Sequence, residues 1–466
     1  MDRRGGNSMT DAPILDVGIV GHTNAGKTSL VRTLTRNRSF GEVEDRGGTT
    51  RRVSAATLAD GDATRLRLWD SPGLENAPTL LDHLEETSTQ RHDGLAALQR
   101  LLDDPHIARQ FPEETRVLEL TLGCDVLLYV VDVREPVLEK YKDELAVLAS
   151  SARPIIAVLN FVAADDSRES EWRDALARVT LHTVVAFDAR VRSLDTELQL
   201  YKKVASQLND FEPAIEAWIS HRQTEEHQCR EAARSTIATL LVDAAAAQRS
   251  LKKTDRNGPD PSLEALREAI RAREQVCSET LLALYAFADE DYEDDDWPLA
   301  SGYWPEDVFS VDALKRYGRQ GAGYAGAGVG IGAAFDIGTG GLSLGTGTLL
   351  GLLVGSSTGA ARALVPPLWK RSYGQPPVCV SDETLERLAA RQLHLINALN
   401  RRGHATTETL EGEQAALFEN TERVALLHKA RQHPEWSSLN ADFRDSAQRN
   451  EVIEKVAATL PDFYID

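Results

Sequence analysis

Gly21-His22-Thr23-Asn24-Ala25-Gly26-Lys27-Thr28 fits the pattern G-x-x-x-x-G-K-[ST] without a gap. The apolar run Ile14–Val20 precedes it and the helical run Ser29–Leu34 follows, so the stretch reads as strand, tight loop and helix start. Gly21 and Gly26 let backbone N–H groups turn inward around an anion at the start of the helix, with Ala25 and Ser29 as further phosphate-contacting positions. Lys27 would neutralise outer phosphates, and Thr28 would give an oxygen to Mg2+. Working outward, the apolar runs Leu66–Trp69, Val126–Val131, Ile155–Leu159 and His182–Phe187 alternate with amphipathic stretches. That alternation predicts an α/β domain with a mostly parallel sheet over residues 14–193.

Two further stretches belong to the same chemistry. Asp70-Ser71-Pro72-Gly73 ends the run Leu66–Trp69, which puts a carboxylate at a strand end to hold Mg2+ and a glycine N–H near a terminal phosphate. Gly47-Gly48-Thr49-Thr50-Arg51 lies between the two motifs and carries hydroxyls able to complete a metal shell. Between Glu75 and Leu122, leucines at 80, 81, 84, 95, 98, 101 and 102 predict a long helical insertion.

Taken together, the three motifs resemble those of the translation-factor-like P-loop GTPases of the Era and TrmE type, over about residues 14–190. The whole chain is also similar to a bacterial family in which such a G domain precedes a long carboxy-terminal domain of unknown function. The resemblance implies GTP and GDP as ligands and GTP hydrolysis with Mg2+ as the activity. It implies Lys27, Thr50 and Gly73 as catalytic positions and Thr28, Thr50 (or Thr49) and Asp70 around Mg2+; Glu75, beside the second switch, is a further catalytic candidate, with a plain surface carboxylate as its alternative. Asn24 stands where potassium-activated members coordinate K+; a loop-stabilising asparagine is the alternative. Leu74 occupies the place where Ras-like enzymes keep a water-orienting glutamine, so hydrolysis should be slow. K+, an acid such as Glu75, or a partner surface must then place the water.

Base recognition departs from the pattern. The usual Asn-Lys-x-Asp becomes Asn160-Phe161-Val162-Ala163-Ala164-Asp165-Asp166. Asn160 is in place, Phe161 could stack on the base as the lysine stem does, and Asp165 could reach it through a rearranged loop. Phe187-Asp188-Ala189 sits where a backbone N–H would meet the guanine O6. Guanine is retained as the base, with discrimination against adenine open.

Beyond residue 194 helical periodicity dominates, which predicts a mostly α-helical carboxy-terminal domain to residue 466. Asp289–Asp296 reads as a solvated acidic loop. From 318 to 362 about a third of the residues are glycine, with small residues every four positions at Gly318, Ala322, Gly326, Gly330, Ala334 and Gly338, and at Gly347, Gly351, Gly355 and Gly359. That spacing gives two smooth helical faces meeting near Asp336–Gly341. Basic flanks at Lys315, Arg316, Arg319, Arg362, Lys370 and Arg371 leave two readings open, a packed hairpin in a soluble domain or a membrane-contacting one.

The 466 residues carry 52 Lys plus Arg against 72 Asp plus Glu, a formal charge of −20, which argues against coating duplex DNA. Four scattered cysteines make a disulfide scaffold or a structural zinc an unattractive reading. Residues 1–13 read as a leader or tag, and the cytoplasm, with a peripheral inner-membrane site as the variant, is the expected compartment. Nucleotide-dependent homodimerisation, ribosome binding and dynamin-like remodelling are the partner readings carried alongside.

Overall fold

A computed structural model describes residues 14–37, 40, 53–60, 63–87, 93–164, 166–189, 193–250, 261–285, 287, 298–299, 303–310, 342–343, 377–401 and 420–461. Expectations for residues 1–13, for Gly47–Arg51, for Asp165, for the acidic run 289–296 and for nearly all of 318–362 lie outside these. The chain divides into two compact units, Met1–Glu226 and His227–Asp466.

The first unit is built on a six-stranded sheet ordered β2-β3-β1-β4-β5-β6, from β1 (Leu15–Gly21), β2 (Ser54–Asp60), β3 (Ala63–Asp70), β4 (Val126–Asp132), β5 (Ile155–Asn160) and β6 (Val184–Ala186). All neighbours are parallel except β2 with β3. The continuous apolar text of β4 has a simple cause: both faces are covered. Val126, Leu128 and Val130 enter one core with Leu30, Leu34 and Ile156, while Leu127, Tyr129 and Val131 enter the other with Leu145, Leu148 and Trp172. Helix α1 (Lys27–Thr35) lies on the first side, and α6 (Glu139–Ala149) and α7 (Glu169–Arg178) on the second.

The insertion is helical but not one helix. It is α2 (Ala77–Thr87), α3 (Gly94–Leu102), α4 (Pro105–Gln110) and α5 (Pro112–Gly123). Prolines at the first positions of α4 and α5 start new helices because their missing N–H is not needed there, and Asp104 caps α4 by accepting from the His106 N–H. Leu80, Leu84, Leu98 and Leu101 are buried in a core of their own with Phe111 and Leu118, whereas Leu95 is exposed. The first unit runs past residue 193 because α8 (Leu194–Ala205) and the start of α9 (Glu212–Ala246) supply Leu198, Tyr201, Val204, Ile215 and Trp218 to the sheet's own core.

The second unit is mostly helical, with α10 (Pro261–Leu284), α11 (Asp382–Arg401), α12 (Thr421–Arg431) and α13 (Ala447–Ala458) around the end of α9. Asp243 on α9 is 1% exposed, and it accepts from Arg273 Nε (2.8 Å), Arg449 Nη2 (2.9 Å), the Ser438 N–H (3.1 Å) and Ser438 Oγ (2.8 Å). One carboxylate thus joins α9, α10, α13 and the turn before α13. The unit also holds a small antiparallel sheet, β7 (Gln248–Arg249), β9 (Val378–Val380) and β8 (Leu342–Ser343), in the order β7-β9-β8. Leu342–Ser343 opens what the glycine spacing read as a second helical arm. It is extended instead, because its backbone pairs with Cys379 and Val380. Among the described residues no helix is long and apolar enough to cross a membrane.

Candidate nucleotide-binding site

At the carboxyl end of β1 the chain turns through the glycine loop into α1. The turn demands left-handed backbone at Asn24 (φ 63°) and Gly26 (φ 91°). A Cβ at Gly26 would also collide with the Asn160 amide, so glycine is required there on two counts. Lys27 is 6% exposed, and its ammonium donates to the carbonyls of Gly21 (3.1 Å) and His22 (2.7 Å). Burial lowers its pKa to about 8, against the opposing pull of Asp70, Glu144 and Glu75.

Thr28 Oγ1 donates to Asp70 Oδ2 at 2.6 Å, so two residues 42 positions apart bring hard oxygen donors to one point. That donor chemistry fits Mg2+. Ser71, 0% exposed, fixes the turn after β3 by donating to the Ile19 carbonyl (2.7 Å). Gly73 lies so close to Thr23 that a Cβ would overlap its hydroxyl and its N–H. Thr23 Oγ1 donates to Glu75 Oε1 (2.7 Å), and the Leu74 N–H donates to the Gly21 carbonyl (3.3 Å). Gly73 and Glu75 therefore both pack onto the loop, with Glu75 held by Thr23. Leu74 is fully buried, among Val20, Val117 and Leu145. Asn24 and Ser29 are exposed on the rim, and Ala25 is buried.

Asn160 joins three segments. Its Nδ2 donates to the Ala25 carbonyl (3.0 Å), and its Oδ1 accepts from the N–H groups of Phe161 (3.0 Å) and Ala189 (2.9 Å). The Ala189 amide expected at the guanine O6 is thus engaged by Asn160, and its carbonyl accepts from Thr33 Oγ1 (2.6 Å). Asp188 is 7% exposed. Thr50 and Asp165, two residues the sequence places at this site, lie outside the described residues. Asn160→Ala is expected to cost about 2–3 kcal/mol, because each buried polar group left unpaired costs about 1–3 kcal/mol. Urea unfolding of variant and parent tests this, and an unchanged midpoint would show the brace to be idle.

Sequence reasoning missed a polar chain behind the loop. Lys140 Nζ, which can only donate, meets His22 Nε2 at 2.9 Å, so the imidazole carries its proton on Nδ1 and donates to Glu144 Oε1 (2.7 Å). Glu144 is 0% exposed and also accepts from the Tyr129 hydroxyl (2.8 Å); burial and that carboxylate hold the phenol well above its ordinary pKa. The available signal was a glutamate on the inward face of α6. A second missed residue is Arg134, whose guanidinium lies over the Phe161 ring.

Two family models match successive parts of the chain. Residues 16–161 match the family model described as 50S ribosome-binding GTPase, and residues 173–458 match the domain of unknown function DUF3482. The probable GTP-binding protein EngB of Shigella flexneri is 27% identical over 211 residues, covering 45% of this chain and 83% of the relative. That of Enterobacter sp. strain 638 is 26% identical, covering 44% and 86%. A bacterial selenocysteine-specific elongation factor is 19% identical with a TM-score of 0.28, covering 42% of this chain and 28% of its own. Aquifex aeolicus Era bound to GDP.AlF4- is 17% identical with a TM-score of 0.26, covering 42% and 57%. This chain therefore spans less than two thirds of either solved structure. With the DUF3482 match running over most of its length behind a P-loop GTPase domain, the chain belongs to the DUF3482 family.

Proposed function

We propose that the first unit binds GTP with Mg2+ and hydrolyses it slowly, and that the helical unit responds to the nucleotide state. The observation that carries this reading is the meeting of Lys27, Thr28 and Asp70 at the mouth of a glycine loop, with Thr28 and Asp70 2.6 Å apart. Thr28 and Asp70 would hold Mg2+, which when bound offsets the negative charge of the outer phosphates. Water attacks the γ-phosphorus in line, its bond to the β–γ bridging oxygen breaks, and GDP and inorganic phosphate leave with the water's proton on phosphate oxygen. The loop amides and the Lys27 ammonium take up the charge developing on the bridging and outer phosphate oxygens. Asn24, exposed on the loop rim, is the K+ position, and Thr50 completes the first switch. Leu74 points into the core and cannot orient the water, which supports slow turnover. Single-turnover hydrolysis of GTP in potassium and sodium buffers tests the reading. Slow phosphate release, faster in K+, is the expected result, and no release with Mg2+ and K+ present would leave a nucleotide-binding switch without turnover.

A second reading, ribosome association, is favoured by the family description matched over residues 16–161. It would place the same GTP cycle on a ribosomal particle.

A further inference from the structure

Replacing the lysine of Asn-Lys-x-Asp by Phe161 removes two things from a base subsite, an apolar stem and a positive charge. Two neighbouring strands return them. Phe161 leaves the carboxyl end of β5 with φ 63°, a left-handed conformation that bulky residues rarely hold. The turn sets its ring beside the glycine loop, with Cζ 3.3 Å from where a Cβ on Gly26 would stand. Arg134 follows β4, whose Asp132 lies in register with Asn160. Its guanidinium carbon is 3.9 Å from the centroid of the Phe161 ring.

The arginine is held there. Asp132 Oδ1 accepts from the Arg134 N–H (3.0 Å) and Nε (2.9 Å), and Oδ2 accepts from Nη2 (2.7 Å). A two-point fork onto a carboxylate fixes the plane of a guanidinium, and a cation over an aromatic face gains from the ring's quadrupole. Both residues stand at carboxyl ends of parallel strands, the edge of such sheets where ligands bind. Arg134 is 38% exposed in its side chain, so the pair sits at the surface of the site and not in the core.

We propose that Phe161 and Arg134 form the platform for the purine ring of the nucleotide, with Arg134 as a specificity-determining residue supplying the charge that the missing lysine would have carried. The inference rests on the nucleotide-binding reading above and adds the base subsite to it. Stacking on this platform favours the larger purine face over a pyrimidine. A merely structural Arg134–Asp132 pair would leave the ranking of ligands untouched.

The test is calorimetric titration, with Mg2+, of GTP, CTP and inorganic tripolyphosphate into the full chain and into Arg134→Ala, Phe161→Lys and the double variant. Arg134→Ala is expected to weaken GTP about tenfold while changing tripolyphosphate by less than about twofold, and to narrow the gap between GTP and CTP. Phe161→Lys alone sets an ammonium against Arg134 and weakens GTP. The double variant restores the usual lysine without that repulsion and is expected to recover GTP affinity to within about threefold of the parent. Unchanged GTP affinity in Arg134→Ala overturns the proposal, as does an equal loss for GTP and tripolyphosphate. A parent chain that binds tripolyphosphate but not GTP also overturns it. A parent that binds neither defeats the nucleotide reading itself, a separate and recognisable result.

Discussion

Replacing Lys27 by alanine is expected to reduce GTP turnover about 10²–10³-fold, the usual cost of removing one preorganised charge-stabilising donor. The loss has two origins. The ammonium is the buried cation at the loop mouth, and its two hydrogen bonds to the Gly21 and His22 carbonyls hold the loop's first turn. The same burial predicts a pH signature. With its pKa lowered to about 8 in the folded protein, Lys27 loses its proton as pH rises through that value, so GTP affinity should fall above about pH 8. Folding stability changes in the opposite sense. Between about 8 and the ordinary value of 10.5 the unfolded chain holds the proton that the folded chain has released, so this residue's contribution to stability rises with pH there. Calorimetric titration of GTP at pH 7, 8 and 9 should show the decline in the parent and its absence in Lys27→Ala. A variant that binds and turns over GTP like the parent would remove the site from this loop.

Asp243→Ala should have the largest effect on the helical unit. The carboxylate is 1% exposed and faces two arginines, Arg273 and Arg449, so truncation leaves their guanidinium groups partly or wholly buried without their anion. Removing one partner of a buried ion pair costs about 3–5 kcal/mol. Urea unfolding followed by helical circular dichroism measures it, and a loss below about 1 kcal/mol would place the carboxylate among incidental contacts. The double variant Asp243→Ala/Arg449→Leu is expected to recover part of the loss, because it removes a stranded charge along with its counter-ion.

The sheet was legible where burial on both faces forces continuous apolar text, as in Val126–Asp132 and Ile155–Asn160. Ser54–Asp60 was not, because an antiparallel edge strand with exposed alternate positions can be written in alanine, serine and threonine. The strands around Val378–Val380 were missed for another reason. Two or three residues are too few to express a period of two. Within the insertion the leucine spacing revealed helices, but the breaks at Pro105 and Pro112 needed their capping chemistry to be weighed against periodicity. At the site, Lys27, Thr28 and Asp70 were readable because each belongs to a short motif whose spacing is set by backbone geometry. Arg134 and Glu144 were not, since strand register and helix packing bring them to the loop from positions that look like ordinary surface and helix residues.

The sealed position of Leu74 carries a consequence for anyone hoping to quicken this protein's clock. Installing a carboxamide there would strand it among aliphatic neighbours instead of presenting it to solvent. Under the proposed GTP cycle, acceleration would therefore have to be lent from outside that position, by an ion, by Glu75 or by a docking surface. A clock of that kind would take its pace from what surrounds the buried leucine, not from the leucine itself.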